Sequence, residues 1–231
     1  IQQLIQEQLI SLTKGQHLRY GHIFNCAGLF ADKVAHKFLI GEDLSLIPFK
    51  GIYWEFKTDE VIHVPCNLYP VPDLELPFLG VHITPSASSD KIAYVGPTAT
   101  PALGRENYEG LEKLDIPLSI NNFLLLAEQY VKDKGKFRMY TKEQLLLFFK
   151  PIMLREVKKL VPDINGASIV KSAKVGIRSQ LFNKKTKLLE DDFICISKPD
   201  STHILNAISP AFTSSFAFAD LIINHSKFRG K

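Results

Sequence analysis

The sequence predicts an α+β (mixed α/β) fold, a mixed and mostly antiparallel sheet flanked by helices. Three observations carry this. Short runs rich in β-branched and aromatic residues, bounded by Gly and Pro, fill the first hundred positions and return after Ser168. Between Asn121 and Val161 the apolar spacing turns helical. The two kinds of element do not alternate in the regular rhythm that a doubly wound parallel sheet needs.

The elements follow in order. Leu9, Ile10 and Leu12 lead into the turn Lys14-Gly15-Gln16, and Leu18, Tyr20, Ile23 and Phe24 form a second extended piece ending at Asn25. This predicts a hairpin over 7–26 with an exposed edge. A helix over Phe30–Leu39 places Val34, Ala35, Phe38 and Leu39 on one side. Pro48–Phe56 reads as an aromatic strand. Further strands are expected over 60–72, 78–84 and 92–95, with Pro70, Pro72, Pro77 and Pro85 confining the middle two to edges. Helices are expected over Asn121–Asp133 and, with Thr141 as N-cap, over 141–149. Pro151 interrupts, and Ile152–Val161 continues. Strands return near Ile169, Val175–Ile177, Phe193–Ser197 and His203–Ala207. A last helix spans Thr213–His225.

A length of 231 residues holds one large domain or two small ones. With 45% hydrophobic and 23% charged residues, disorder and low-complexity scaffolds are excluded. No apolar run approaches the ~18 residues of a membrane span. The chain opens on Ile1 with neither a Met nor a basic leader, so no secretory signal is expected and the start reads as cut from something longer. The net charge of +4 is mild. Lys184, Lys185 and Lys187 are followed by Glu190, Asp191 and Asp192, the pattern of a solvated turn, and no nucleic-acid partner is expected. Cys26, Cys66 and Cys195 are odd in number and widely spaced, without C-x-x-C. This argues against a disulfide or zinc framework and for a reducing compartment. Their apolar neighbours predict buried, inert thiols.

G-x-x-x-x-G-K-[ST], H-E-x-x-H, G-x-S-x-G and G-x-G-x-x-G are all absent. Four stretches nevertheless stand out. Asn25-Cys26-Ala27-Gly28 puts small residues after a strand, suited either to a tight turn or to the approach of a ring or phosphate. Gly176-Ile177-Arg178 sets a cation beside a glycine, for a carboxylate clamp or a surface pair. Ser209 to Ser215 opens a helix with small hydroxyl residues, a plain cap or a seat for an electron-rich oxygen. His82 stands alone on a strand, where it is either structural or a base titrating near neutrality.

Taken in order, these stretches resemble the FAD-dependent oxidoreductases of the D-amino-acid oxidase superfamily, and most the L-2-hydroxyglutarate oxidase/dehydrogenase branch. The similarity runs through Asn25–Leu29, Pro48–Tyr53, Tyr69–Asp73, Pro77–Thr84, Gly96–Ala99, Arg105–Tyr108, Gly176–Gln180, Asp191–Phe193 and Asn206–Ser215. It covers roughly residues 22–225. Pro77-Phe78-Leu79-Gly80-Val81-His82 is the most specific match and argues against a relative acting on glycerol phosphate or an amino acid. The departures are Lys50 where Arg is usual, Phe30 where His is common, Phe212 in place of a small residue, and the missing N-terminal G-x-G-x-x-G unit.

The resemblance implies a partial FAD-binding domain over 1–47 and 171–231 and a substrate domain over 48–170. It implies FAD as cofactor, held along the ring by Asn25, Ala27, Gly28, Gly176 and Ile177 and at the helix start by Pro210, Ala211, Phe212, Thr213 and Ser214. Retention of FAD by a chain lacking the fingerprint is a separate question. The substrate would be a small-molecule 2-hydroxy acid, foremost L-2-hydroxyglutarate. His82 would be the base, Arg178 the carboxylate partner, and Tyr53 and Lys50 would hold substrate oxygens. A quinone or oxygen would take the electrons. A homo-oligomer or a missing N-terminal region would complete the fold. The location would be cytoplasmic, peripheral to the inner membrane, or mitochondrial in a eukaryote. The opposing expectation is a catalytically silent, cofactor-free remnant that serves as a binding module.

Overall fold

The computed structural model describes residues 9–11, 15–58, 62–71, 80–133, 136–208 and 211–226, and for Ala167 the backbone alone. In chain order the elements are β1 Leu9–Ser11, β2 His17–Arg19, β3 Ile23–Asn25, α1 Ala31–Lys37, β4 Leu44–Lys57, β5 His82–Pro85, β6 Ile92–Gly96, β7 Thr100–Pro101, α2 Ile116–Lys132, α3 Phe137–Leu146, α4 Lys150–Lys158, β8 Val170–Asn183, β9 Leu188–Leu189, β10 Ile194–Ser197, β11 Ser201–Asn206 and α5 Ser215–His225. This is the mixed, mostly antiparallel α/β class that the sequence predicts. No helix among the described residues is long and apolar enough to cross a membrane.

The chain divides into two compact units, one of residues 1–47 and 179–231, the other of 48–178. Both boundaries fall inside long strands, β4 and β8.

The first unit is built on a small sheet in which β10 pairs antiparallel with β11, and β11 pairs parallel with β3. β11 is buried along its whole length. α1 lays Ala31 and Ala35 onto this sheet, and Ile40, Leu44, Leu46, Leu181 and Leu205 complete the core. The buried Asp32 is satisfied locally. The Asp32 carboxylate accepts from the backbone N–H of Lys33 at 2.7 Å and of Leu46 at 2.9 Å, which ties α1 to the start of β4. β1 and β2 form the expected hairpin, and Leu12 lies outside the described residues.

The second unit carries a sheet of order β5-β6-β4-β8, with β7 against β4. Side chains alternate across it. Trp54 and Phe56 of β4, Ala93 and Val95 of β6 and Ile83 of β5 face a core closed by Leu147, Met153, Val157 and Ile164. One close approach fixes the edge of this layer. A Cβ on Gly51 would stand 2.7 Å from the Pro97 ring, so only glycine admits the loop after β6 there.

Several expectations change. Residues 62–71 make one isolated bridge, Leu68 to Ile83, rather than a strand, because Pro65 and Pro70 donate nothing to a ladder; positions 60–61, 72 and 78–79 of the expected strands lie outside the described residues. α2 starts at Ile116, five residues early. Asp115 caps it, its carboxylate accepting from Leu118 N–H at 3.0 Å, and Pro117 fits the first turn. Thr141 is not a cap but sits inside α3, its hydroxyl donating to Phe137 O at 2.8 Å. The helical region is interrupted at Pro151 as expected, α3 ending at Leu146 and α4 starting with Pro151 in its first turn. α5 begins at Ser215, after the turn 211–214. The thiols are not buried. Cys26 and Cys66 are exposed and Cys195 is half-buried. Strand alternation explains Cys26, since its neighbour Asn25 takes the inward position.

Candidate active site

The face of the second unit's sheet opposite its apolar core gathers the titratable residues. On β8 the even positions Ser172, Lys174, Gly176 and Arg178 share this face, while Lys171 lies over Trp54 on the other. Ser172 donates to a Glu55 carboxylate oxygen at 2.5 Å. The Lys174 ammonium stands 4.9 Å from the Tyr53 ring centre and 4.3 Å from that of Tyr94, a cation held over two aromatic faces.

Arg178 reaches the same neighbourhood. Its charge acts on Tyr53, Tyr140 and His82. Burial pushes the Tyr53 phenol above its ordinary range, Arg178 pulls it back, and Tyr69 adds to the rise. Burial pushes Tyr140 up more strongly. Burial lowers the Arg178 guanidinium, opposed by Tyr140 and Tyr53. A guanidinium starts so high that it keeps its charge at neutral pH.

His82 opens β5 on this face. Its Nδ1 lies 3.2 Å from Gly80 O. A carbonyl only accepts, so Nδ1 carries the proton and Nε2 keeps its lone pair. Tyr69 stacks on the imidazole, ring centres 4.8 Å apart and 30° between planes. Burial first, then the charges of Arg178 and Lys174, hold the His82 pKa below the ordinary value, against the Gly80 contact. The ring is therefore a neutral base.

Gly96 separates His82 from Tyr53. It pairs with His82 across β5–β6. On its other side a Cβ would stand 3.3 Å from the Tyr53 ring and 3.0 Å from Ile52 O, and its φ is +138°. A side chain there would crowd the Tyr53 ring, so glycine lets strand and phenol approach closely. Gly176, by contrast, is open, with nothing within 4 Å of an added Cβ. The result is a shallow cationic floor with one neutral base.

Of the residues singled out from sequence, His82, Tyr53 and Arg178 come together here, with Gly176 on the same face. Ile177 falls on the opposite face by alternation. Lys50 stands three residues from Tyr53 on β4, hence on the other side of that strand. Its ammonium donates to Asn107 Oδ1 at 2.9 Å, and burial lowers its pKa. Asn107 is itself fixed by donating to Gly110 O and Glu112 O. Tyr69, Lys174, Tyr140 and Gly96 were not singled out. Strand alternation from Arg178 back to Lys174 was a signal for one of them. The others depend on pairings between distant segments.

The first unit holds the remaining positions. The Asn25 carboxamide is consumed by its own surroundings. Nδ2 donates to Ala31 O at 2.8 Å and to His203 Nδ1 at 3.0 Å, and Oδ1 accepts from Ala27 N–H at 3.2 Å. His203 is fully buried. Its Nδ1 accepts, so Nε2 carries the proton, and burial lowers its pKa. Ala27 and Gly28 are exposed, Gly28 has φ +52°, and an added Cβ would touch nothing. Pro210 lies outside the described residues. Ala211 N–H donates to Ile208 O at 2.8 Å. Thr213 is exposed, Ser214 half-buried, and Phe212 is 92% exposed. Among the described residues no group of His, Cys, Asp and Glu could hold a metal ion.

Comparison with known proteins gives a consistent result. Residues 2–224 match the family described as FAD dependent oxidoreductase, DAO. The chain is 30% identical over 230 residues to the mitochondrial L-2-hydroxyglutarate dehydrogenase of Homo sapiens, covering 96% of this chain and 48% of that protein. It is 34% identical over 205 residues to the L-2-hydroxyglutarate dehydrogenase of Indibacter alkaliphilus, covering 87% and 49%. The chain thus spans about half the length of these relatives. Among solved structures, an FAD dependent oxidoreductase from Pseudomonas aeruginosa aligns at TM-score 0.38 and 13% identity, over 81% of this chain and 40% of that one.

Proposed function

Since the chain belongs to the FAD-dependent oxidoreductase family, we propose that it carries the substrate-handling residues for oxidation of L-2-hydroxyglutarate, or a similar 2-hydroxy acid, to the 2-keto acid. The observation that carries this reading is the convergence of a neutral imidazole, two cations and a phenol on one sheet face.

The geometry supports the following roles. Arg178 receives the C1 carboxylate, where its planar fork can donate twice. Lys174, held over Tyr53, attracts the second carboxylate of a dicarboxylic substrate. The Tyr53 phenol stays protonated and donates to the C2 oxygen. His82 Nε2 takes the hydroxyl proton as the C2–O bond gains double-bond character and the C2 hydrogen leaves with its electron pair. Tyr69 and Gly80 keep Nε2 pointed at one place. FAD, when bound, supplies the acceptor for that hydride. A quinone or oxygen is the proposed final electron acceptor.

Each unit by itself offers uncrowded backbone that suits the ring portion of such a cofactor: Gly28 in the first and Gly176 in the second, where an added Cβ would meet nothing. Asn25 shapes its turn rather than touching a ring. The glycine-rich loop that grips a pyrophosphate is absent from this sequence. A second reading is a cofactor-free module that binds the dicarboxylate without turning it over.

Two measurements on the purified chain decide. The first is an absorbance spectrum before and after adding FAD and gel filtration. Retained flavin that bleaches on adding L-2-hydroxyglutarate supports the enzyme, with His82→Gln abolishing the bleaching. Absence of flavin with intact dicarboxylate binding supports the module. The second is titration with L-2-hydroxyglutarate by calorimetry. Wild-type affinity equal to that of Arg178→Gln would sink both readings.

A further inference from the structure

Lys174 is exposed, yet its ammonium is held in place. It stands 4.3 Å from the Tyr94 ring centre and 4.9 Å from that of Tyr53. The strand order β6-β4-β8 sets these two rings on successive strands beside its own, so the lysine arm lies across the sheet face. Tyr94 belongs to β6, an inner strand, and is paired with Glu55 of β4 on one side and Thr84 of β5 on the other. The base of the arm is fixed as well. Lys174 N–H donates to Ser172 Oγ at 3.2 Å, and that hydroxyl donates to Glu55 Oε2 at 2.5 Å. No carboxylate among the described residues lies within ion-pair distance of the ammonium.

A lysine carries its charge on a flexible four-carbon stem. When free, it follows a carboxylate over a wide range of distances, so it attracts without discriminating between ligands of different length. Seating the ammonium on two ring faces removes much of that freedom before a ligand arrives. The cation then meets a second carboxylate at one separation from the first anchor. That anchor is Arg178, four residues along the same face of β8, its Cα about 13 Å from that of Lys174 at ~3.3 Å per residue. A short diacid closes this span only if both cations lean toward it. A pinned end cannot move to make up a missing methylene or to accommodate a surplus one.

We infer that Tyr94 is a specificity-determining residue: by holding the Lys174 ammonium it sets the chain length of the dicarboxylate that the cationic face accepts, and the length selected is that of a five-carbon 2-hydroxy diacid. The inference rests on the dicarboxylate reading of this face and adds to it a residue that acts through Lys174, a positioning residue. A four-carbon diacid seated on Arg178 falls short of a fixed ammonium, and a six-carbon one must bend to fit. The attraction lies in the face of the ring and not in its hydroxyl. Tyr94→Phe therefore keeps the device, and Tyr94→Leu removes it.

The test is calorimetric titration of the whole chain with L-malate, L-2-hydroxyglutarate and L-2-hydroxyadipate, which differ by one methylene at each step. The wild-type chain should bind the five-carbon acid about five-fold more tightly than either neighbour, the scale of a cation–π contact. Tyr94→Leu should bring both ratios to about one, as should Lys174→Met, while Tyr94→Phe retains them. General damage to the fold would weaken all three acids together and leave the ratios in place, so the ratio separates positioning from a structural role. Wild-type binding that Arg178→Gln weakens, but that shows no preference for length, overturns this inference alone and needs no Tyr94 variant to fold. So does a preference that survives Tyr94→Leu or is lost in Tyr94→Phe. Absence of dicarboxylate binding, or binding indifferent to Arg178→Gln, overturns the dicarboxylate reading and this inference with it.

Discussion

The two units use polar residues in opposite ways. In the first, Asn25 and His203 of the small sheet and Asp32 of α1 are buried, and Asn25 and Asp32 are satisfied by backbone or by a neighbouring side chain. In the second, His82, Tyr53, Lys174 and Arg178 stand on the sheet face turned away from the apolar core, beside two positions with no side chain. The first arrangement makes a turn rigid. The second gathers two cations, a phenol and an imidazole on one sheet face, the set proposed to meet a dicarboxylate. A polar residue near a strand end thus holds a turn together in one unit and is proposed to meet a ligand in the other.

That contrast can be broken at several points. Asn25→Ala removes three hydrogen bonds from a buried turn and should destabilise the first unit by about 2–4 kcal/mol. Hydrogen exchange should speed at Ile204 and Leu205, with dicarboxylate affinity of the second unit unmoved; lost affinity and unchanged exchange would reverse the two roles. Arg178→Gln should do the opposite, weakening L-2-hydroxyglutarate binding about 100-fold, the worth of a charge-assisted pair, at constant Tm. Acidification touches both units. His82 and His203 have folded pKa values below 6.5, so the unfolded chain takes up protons first. Their stabilising contribution is complete above about pH 6.5 and is lost as pH falls through the folded values. Urea midpoints should drop between pH 7 and 5, and His82→Gln and His203→Gln should each flatten the slope. Lys174→Met should cost a few-fold in affinity for the dicarboxylate and almost nothing for a monocarboxylate; equal losses would remove Lys174 from the second carboxylate. Least of all, iodoacetamide should label Cys66 in the folded chain readily and Cys26 more slowly, because partial desolvation raises the Cys26 thiol although its residue surface is exposed.

Much of this was legible in residue order. The helix at Ala31, the aromatic strand β4 and the turn at Lys184–Lys187 follow from local spacing and turn chemistry, which a single stretch of chain contains. Asp115-Ile116-Pro117 was legible in principle, since an acidic cap before Pro is a helix start. The parallel pairing of β3 with β11 was not, because it joins residues 178 apart, His203 to Asn25. Nothing near Asn25 announces that its amide will be spent on a histidine so distant in sequence. The same holds for the site. His82 and Arg178 stood out by type, whereas Tyr69 and Gly96 matter only because other strands bring them beside the imidazole. Lys50 stood out by type as well, and alternation along β4 was enough to separate it from Tyr53.

The alternation of β8 has a genetic corollary. Lys174, Gly176 and Arg178 serve the open face only because each is an even step from the next, with Val175 and Ile177 between them. Deleting a single codon from this stretch would turn both cations toward the apolar layer and bring the aliphatic residues outward. Deleting two codons would shorten the strand yet keep its faces. Frame-preserving indels here are therefore not graded by length. Odd and even lengths should form two separate classes, and a deletion scan across residues 171–178 would show viability rising and falling with parity.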